Sequence, residues 1–312
     1  MEGGGEGSSR RRWVEVVGEA VSTALPVWVA LSCAVGLARP GWFWWLEPGW
    51  MVTGIMVTML GMGKTLTFDD LRGALAMPKE LAAGFLLHYS IMPLSGYFVS
   101  KHLGLPSYYA AGLILVVWCP RVLVTAASTL ASVVMTPFLT ARLAGQFVAV
   151  DAAGLFKSTL QVLLLPVLAG AFLNQYFQGL VKFVSPFMPP VAIATVAVLC
   201  GNAIAQNASA IMMSGLQVML SAVLLHAFGF SLGYLLARML GIDVVFSRTI
   251  SIEVGMENSV LGVVIARQHY GNPLTAVPCA VSSICHSIFG SVSAGNWRQS
   301  VPSKMQDSKV QT

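Results

Sequence analysis

The stretch RTISIEVGMENSVLGVVIA, residues 248–266, places two acidic side chains inside an otherwise apolar segment. Glu253 and Glu257 are four residues apart, so they lie on one face if the segment is a continuous helix. Gly255 stands between them and favours a local break. Broken helices and carboxylates at membrane depth usually face a cavity, an ion or buried protein. The stretch therefore predicts an ion or substrate site on a broken helix; the alternative is two glutamates solvated at a membrane interface.

The composition of the chain is that of a protein that crosses a membrane several times. Its 312 residues are 56% hydrophobic and 10% charged, whereas soluble domains carry about a quarter charged residues. Most of its apolar segments are near the roughly 20 residues that a spanning helix needs. They lie at about 15–38, 43–63, 80–100, 106–140, 153–176, 185–205, 211–240, 246–270 and 273–297. We therefore predict an all-α polytopic membrane protein.

The basic residues indicate how the chain is oriented. If 106–140 counts as two crossings, the chain makes ten. Of the 18 Lys and Arg residues, twelve then lie on the side of the N-terminus, five lie on the other side, and Arg121 remains within the long segment. Because cytoplasmic loops carry the excess of Lys and Arg, both termini are expected on the cytoplasm-like face, after an even number of spans.

Several function classes lack their usual signals. The five cysteines are odd in number and irregularly spaced, which argues against a disulfide framework or a zinc site. The net charge of +5 forms no basic stripe with interleaved aromatics, so no nucleic-acid partner is expected. No nucleophile elbow, P-loop, HExxH or dinucleotide fingerprint is present. The sequence thus favours transport over catalysis, with no cofactor.

His88, His226 and His286 lie within apolar segments. A lone histidine at membrane depth is more often hydrogen-bonded to a neighbouring helix than a ligand. The cluster WFWWLEPGW, residues 42–50, predicts an aromatic belt at a membrane interface. Residues 61–80 predict a cytoplasmic loop, and the small and hydroxyl residues of 276–291 are typical of close helix packing.

Five stretches together resemble the bile acid:sodium symporter family, and they are nearest to its plant branch, the plastid sodium/metabolite cotransporters. They are LGMGKTLTFDDLR (60–72), HYSIMPL (88–94), TAASTLASVVMTPFLTARLAGQFVAVDAAGL (125–155), ISIEVGMENSVLGVVIA (250–266) and NPLTAVPCAVSSICHSIFGS (272–291). The resemblance implies ten helices in two inverted repeats of five, each repeat with one broken helix. The repeats would span 13–140 and 141–298, and the polar ends 1–12 and 299–312 are expected to be disordered.

The resemblance also implies an activity. Two sodium ions would drive the symport of a small organic anion, either bile-acid-like or a keto or carboxylic acid, by alternating access within a lipid bilayer. Plant members lie in the chloroplast envelope, so this location is expected here, although the N-terminus lacks the features of a good transit peptide. The substrate and the oligomeric state do not follow from the sequence.

Site residues are implied by the same resemblance. The implied sodium-binding residues are Glu253, Val254, Met256, Glu257, His88 and Thr125, and the implied substrate-facing residues are Asn258, His286 and Ser287. Glu253 would touch both ions, the carbonyls of Val254 and Met256 would serve one ion, and the Thr125 hydroxyl would serve the other. Glu257 and His88 stand where the family usually or often has glutamine.

The chain departs from the family pattern after Cys119–Pro120, where it continues directly into Arg121. Roughly one span of about 20 residues is expected to be missing here, together with a Ser-Asn pair of sodium ligands. Residues 107–140 would form a single helix of about 51 Å, which is longer than a bilayer core of roughly 30 Å. Arg121 would then replace one sodium ion and lower the coupling toward one sodium per substrate.

Four hypotheses follow. The chain is a sodium-coupled symporter, or a transport-impaired splice or gene-model variant of one. Because Glu257 adds a second carboxylate, a proton-coupled carrier is a further alternative. From a different class, it is a non-transporting membrane interaction protein or an intramembrane enzyme.

Overall fold

The computed structural model describes residues 24–65, 67, 72, 76–116, 135 and 138–299, and this part is built from helices. The α-helices are α1 (Leu25–Ala38), α2 (Pro48–Gly63), α3 (Pro78–His102), α4 (Ser107–Val116), α5 (Ala152–Thr159), α6 (Leu165–Tyr176), α7 (Gln178–Val184), α8 (Met188–Ala205), α9 (Ala208–Met239), α10 (Val244–Gly255), α11 (Ser259–His269) and α12 (Ala276–Gln299). A π-helical turn joins α5 to α6, and a 3₁₀ turn joins α7 to α8, so each pair forms one long helix. The prediction of an all-α polytopic membrane protein is confirmed.

The helix bounds follow the predicted apolar segments closely. Within the described part, four helices are long and apolar enough to cross a membrane: Ala152–Tyr176, Gln178–Ala205, Gly215–Met239 and Pro273–Trp297. Pro26–Ala38 and Ser107–Val116 are shorter apolar helices. The count of ten crossings stays a prediction, because 1–23 and 117–134 lie outside the described residues.

Two of the helices, α3 and α9, end in the same way. The helix α3 ends before Gly104 (φ 59°) and α9 ends before Gly241 (φ 72°). In each turn the residue after the glycine donates its N–H back into the last helical turn, Leu105 to the Ser100 carbonyl at 2.9 Å and Ile242 to the Ala237 carbonyl at 3.1 Å. This is the Schellman motif, in which glycine takes the left-handed conformation. The shared ending turns the chain sharply toward the helix that follows.

The helices pack in reciprocal pairs. The helix α1 packs on α8, and α2 packs on α6, so the first two helices contact two later ones in reversed order. The helices α3 and α9 pack on each other. The inner helices α4, α10, α11 and α12 lie against these pairs and against one another. Every residue from Ser259 to Ala266 is buried, so the first eight residues of α11 are enclosed by protein, whereas Gln268 near its end is exposed.

Glycines bring the paired helices close together. A Cβ built on Gly63 of α2 would lie 2.7 Å from the Cα of Val167, and one on Gly170 of α6 would lie 2.7 Å from the backbone nitrogen of Lys64. Gly36 of α1 meets the backbone of Gly201 in α8 in the same manner. Small residues at helix interfaces are the usual means of tight packing in membranes.

The outer surface carries the large apolar side chains that lipid contact requires. Met213 is 89% exposed and Leu216 is 84% exposed. The exposed tryptophans of the predicted aromatic belt are Trp42, Trp44, Trp45 and Trp50, beside the start of α2. The four cysteines in the described part are buried and free: Cys33, Cys200, Cys279 and Cys285. Cys119 lies outside it.

Candidate ion and substrate site

The predicted helix break is present between α10 and α11. The helix α10 ends at Gly255, Met256 is extended (φ −108°, ψ 103°), and α11 begins at Ser259. The N–H of Met256 donates to the Ile252 carbonyl at 2.8 Å and closes the last turn of α10. Because the chain leaves the helix at this point, the last carbonyls of α10 have no partners within it. The prediction that the helix breaks at Gly255 is confirmed.

Gly255 is required by close packing. Its φ is not positive, but a Cβ built on it would lie 2.5 Å from Cγ of Phe230 in α9. The aromatic ring of α9 therefore occupies the space where any other residue would place its side chain. The break therefore forms where the Phe230 ring of α9 packs directly against the backbone of Gly255.

The two glutamates do not share one helical face. Glu253 lies in the last turn of α10, whereas Glu257 lies in the extended segment, because the helix ends between them. Glu253 is 8% exposed and Glu257 is fully buried. Both carboxylates are therefore inside the protein and not solvated at an interface. Glu253 lies beside Gly84 of α3, since a Cβ on this glycine would be in ordinary van der Waals contact with its Oε2, at 3.5 Å.

His88 is placed beside Glu257. It lies one helical turn after Gly84 on α3, and its Nδ1 is 3.7 Å from Oε1 of Glu257. Within the described part of the chain, neither ring nitrogen of His88 and neither carboxylate oxygen of Glu257 has a hydrogen-bond partner. Buried polar atoms are nearly always satisfied, so a cluster of unsatisfied ones suggests a bound species. The structure thus brings together three of the predicted residues, Glu253, Glu257 and His88.

The backbone of the break supplies further oxygen atoms. Val254 is fully buried, and its side chain lies against Gly233 of α9. Met256 extends toward α12, where a Cβ on Gly290 would lie 2.6 Å from its Sδ. The carbonyls of Val254 and Met256 therefore lie between the two glutamates in the chain, on either side of Gly255. Carboxylate and carbonyl oxygens are the ligands that hard cations prefer.

Asn258 caps the second half of the broken helix. Its Oδ1 accepts a hydrogen bond from the N–H of Leu261 at 3.2 Å. Its Nδ2 has a thioether acceptor, the Sδ of Met59 in α2 at 3.6 Å. Sulfur is a weak acceptor, so the amide N–H₂ of Asn258 is the part of this side chain that can bind an anion.

One face of α12 lies along the break. Ser282, His286 and Gly290 are four residues apart, so they share a helical face. Ser282 accepts a hydrogen bond from Ser259, at the start of α11, at 3.2 Å, and Gly290 lies beside Met256. His286 lies between these two contacts. Ser287 donates to the Ser283 carbonyl of its own helix at 2.7 Å.

His226 belongs to this site, although it was expected only to make a bond between helices. Its Nδ1 is 2.8 Å from the Gly255 carbonyl oxygen, and its Nε2 bonds the Ser282 hydroxyl. Its ring centroid is 5.5 Å from that of His286. The sequence places His226, Gly229, Phe230 and Gly233 on one helical face through their i, i+3, i+4, i+7 spacing, but it does not show that this face contacts the break.

Thr125 lies outside the described residues, as do Pro120 and Arg121. The predicted role of the Thr125 hydroxyl at the other sodium ion and the position of Arg121 therefore stay predictions. Residues 1–12 of the predicted disordered ends also lie outside the described residues, as do residues 300–312. The predicted C-terminal end began at Gln299, but Gln299 is the last residue of α12.

Comparison with known proteins gives matches along most of the chain. A sequence model described as "Sodium Bile acid symporter family" matches residues 52–122 and 121–214. The chain is 66% identical to "Probable sodium/metabolite cotransporter BASS1, chloroplastic" of Arabidopsis thaliana, over 95% of this chain and 78% of that protein. It is 63% identical to the protein of the same name in Oryza sativa subsp. japonica, over 92% and 75%. It is 32% identical to "Uncharacterized sodium-dependent transporter YocS" of Bacillus subtilis (strain 168), over 91% and 93%.

These matches also contain an interruption. The family match falls into two pieces that meet at residues 121–122. The alignment with the Arabidopsis protein is 313 positions long, but 95% of 312 residues is about 296, so about 17 aligned positions are gaps in this chain. The Bacillus alignment has 301 positions for 91% of the chain, about 284 residues, which again leaves about 17.

Proposed function

The chain belongs to the sodium bile acid symporter family, and we propose that it is a secondary active transporter that couples sodium entry to the uptake of a small organic anion. One observation carries this proposal. The two buried carboxylates, Glu253 and Glu257, meet at a helix break whose carbonyls have no helical partners. Buried carboxylates without a counter-ion are too costly to persist at membrane depth, and a bound cation would remove this cost.

The sodium site is assigned to both sides of the break. Glu253 and Glu257 would supply carboxylate oxygens, and Val254 and Met256 would supply carbonyl oxygens. His88 would act as a neutral nitrogen ligand or as a neighbour that orients Glu257, since its Nδ1 is 3.7 Å from Oε1. The ion neutralises the break and makes its backbone geometry stable. Sodium would in this way organise the adjoining substrate site.

The substrate would bind on the α11 and α12 side of the break. Asn258 presents amide hydrogens there, and His286 lies on the face of α12 that follows the break. Ser287, in the next position, would have to release its hydrogen bond to the Ser283 carbonyl in order to take part. The Asn258 amide and the His286 ring are hydrogen-bond donors suited to a carboxylate. They make a small organic anion the expected substrate class, with bile acids, pyruvate and other keto acids as the candidates to test.

The packing supports two inverted repeats, 13–140 and 141–298. In the chain α1 precedes α2, whereas the partner of α1, α8, follows the partner of α2, α6. A pseudo-two-fold axis in the membrane plane requires this reversal. The helices α3 and α9 pack on each other and end in the same Schellman turn. Rocking of one group of helices against the other would provide alternating access. Because two relatives from plants are named as chloroplastic, we propose the chloroplast envelope as the location.

A second candidate function is that of a transport-impaired variant. The gap of about 17 aligned positions and the division of the family match at 121–122 favour it. The gap is about the size of one predicted span, and a ligand set with Thr125 would then be incomplete. In this case the break at Gly255 would still bind one sodium ion.

Proton coupling is a third candidate, and the pair of His88 and Glu257 favours it. Their facing atoms lie 3.7 Å apart and have no other partners in the described part of the chain. A carboxyl and an imidazole in contact can share a proton where glutamine side chains cannot.

Reconstitution in liposomes tests the three candidates together. Uptake of a labelled bile acid, pyruvate or another keto acid is measured under an inward sodium, potassium or proton gradient. We expect uptake that follows the sodium gradient and falls to background in Glu253→Gln. Glu47→Gln, at an exposed carboxylate before α2, is the matched control and should transport normally.

Each alternative gives a different result in the same assay. Uptake that appears only after the missing segment is restored identifies the impaired variant. Uptake driven by protons without sodium identifies the proton-coupled carrier. Sodium-dependent uptake that survives in Glu253→Gln contradicts the site assignment.

A further inference from the structure

A chain of hydrogen bonds runs from one side of the helix break to the other through α9. Ser259, the first residue of α11, donates to the hydroxyl of Ser282 in α12 at 3.2 Å. Ser282 bonds Nε2 of His226, whose Nδ1 is 2.8 Å from the carbonyl oxygen of Gly255, the last residue of α10. All of these side chains are at most 1% exposed. Both ends of the break are thus joined through one imidazole.

The chemistry of these groups fixes the direction of the chain. The Gly255 carbonyl only accepts, so Nδ1 of His226 carries the proton. In the neutral imidazole Nε2 is then an acceptor, and the Ser282 hydroxyl donates its hydrogen bond to it. Ser282 Oγ in turn accepts from Ser259. Every member donates once along the same direction, an arrangement in which successive hydrogen bonds strengthen one another.

The peptide that links Gly255 to Met256 is held at both ends. Its N–H donates to the Ile252 carbonyl at 2.8 Å, and its carbonyl accepts from His226 at 2.8 Å. Because a peptide is planar, these two bonds fix its orientation. We propose that His226 is a positioning residue that sets the geometry of the break and thereby aims the carbonyls of Val254 and Met256. The effect on sodium binding rests on the proposed sodium site, whereas the role of His226 in holding the Gly255–Met256 peptide does not.

The contact between α9 and α10 explains why His226 reaches the break. Gly229 and Gly233 let α9 approach so closely that a Cβ on either would lie 3.2 Å from a Cα of α10, that of Gly255 and that of Ser251. The hydroxyl of Ser251 donates to the Phe230 carbonyl at 2.6 Å and fastens the two helices. His226 stands one turn before these contacts on the same face, so its position is fixed by rigid neighbours.

Hydrogen–deuterium exchange of the purified protein tests the geometric part of the inference. In His226→Ala, we expect the amides of residues 256–260 to exchange about fivefold faster, as the loss of one buried hydrogen bond implies. His226→Asn, which keeps an N–H near the position of Nδ1, should restore much of the protection. Ser221→Ala is the matched control, because Ser221 is fully buried on α9 but bonds only Val218 of its own helix. Unchanged exchange in His226→Ala overturns the inference.

The sodium dependence of uptake in liposomes tests the functional part. The sodium concentration for half-maximal uptake should rise five- to tenfold, as the loss of about one hydrogen bond implies, in His226→Ala and less in His226→Asn. The substrate KM at saturating sodium should stay unchanged. Faster exchange without any change in the sodium dependence overturns the link to the ion. If the wild-type protein takes up no anion with sodium, the proposed function fails, while the exchange result still decides the role of His226.

Discussion

At the scale of single residues, Glu257 and His88 give the first test, because the resemblance to the symporter family implies that glutamine is usual at the first position and frequent at the second. Both side chains are buried, and Nδ1 of His88 lies 3.7 Å from Oε1 of Glu257. If sodium binds between the carboxylates, His88 serves the site without carrying charge. Changing both residues to glutamine should therefore preserve sodium coupling.

This expectation can be measured directly. Glu257→Gln with His88→Gln removes one carboxylate and leaves Glu253 to neutralise the ion. We expect sodium-driven uptake to remain, with a change of less than tenfold in the sodium dependence, because amide oxygens also bind hard cations. If the wild-type protein shows proton-driven uptake and the double variant loses both this uptake and the sodium-driven uptake, the result favours the proton-coupled alternative.

Gly255 provides a second test at this scale. Gly255→Ala should lower the free energy of unfolding by about 1–3 kcal/mol, because the added methyl overlaps the Phe230 ring. Combination with Phe230→Leu should recover part of this loss, as expected for two residues in contact. Thermal denaturation in detergent measures the effect. Additive losses in the double variant would show that the ring is not the cause.

At the scale of the helices, the glycines at the contact between α2 and α6 determine how closely these two helices pack. Gly63→Ala or Gly170→Ala should lower thermal stability, since each new methyl would meet the backbone of the opposite helix, which cannot move aside. Gly179→Ala in the neighbouring α7 is the control, because no atom lies within 4 Å of a Cβ there. Equal stability of Gly63→Ala and Gly179→Ala would contradict this packing.

Much of the helical organisation follows from the sequence, but the support for the site does not. The apolar segments located most helices, and Gly255 between two glutamates located the break. The spacing would put Glu253 and Glu257 on one face only in a continuous helix, and the predicted break at Gly255 separates them. His226 is 27 residues from Glu253 in the chain, and only the close contact of α9 with α10 shows why it matters. Contacts between distant segments of this kind depend on packing, which local periodicity does not specify.

At the scale of the whole molecule, we predict that the interruption of the family match at 121–122 lowers the number of sodium ions coupled to each anion. The carboxylates and carbonyls around Gly255 can form one cation site without the absent segment. Insertion of about one span of family-like sequence after Pro120, roughly 20 residues, should restore the second site and raise the coupling toward two sodium ions per anion. An insertion variant with unchanged coupling would show that the gap does not affect the ion sites.

The orientation of the chain is a separate property of the whole molecule. The excess of Lys and Arg on one side predicts that both termini share that side. Reporter fusions at the two ends should give the same compartment signal. Opposite signals would mean an odd number of crossings, and the second repeat would then lie against its own charge bias.

Sodium-coupled entry of the anion is tested most directly by the ratio of labelled sodium to labelled anion that enters liposomes in the same experiment. We predict that the two enter together in a fixed ratio, close to one sodium per anion, and that Glu253→Gln abolishes both fluxes while Glu47→Gln leaves both unchanged. Entry of the anion without sodium, or a ratio of two in the chain as it stands, would contradict this coupling.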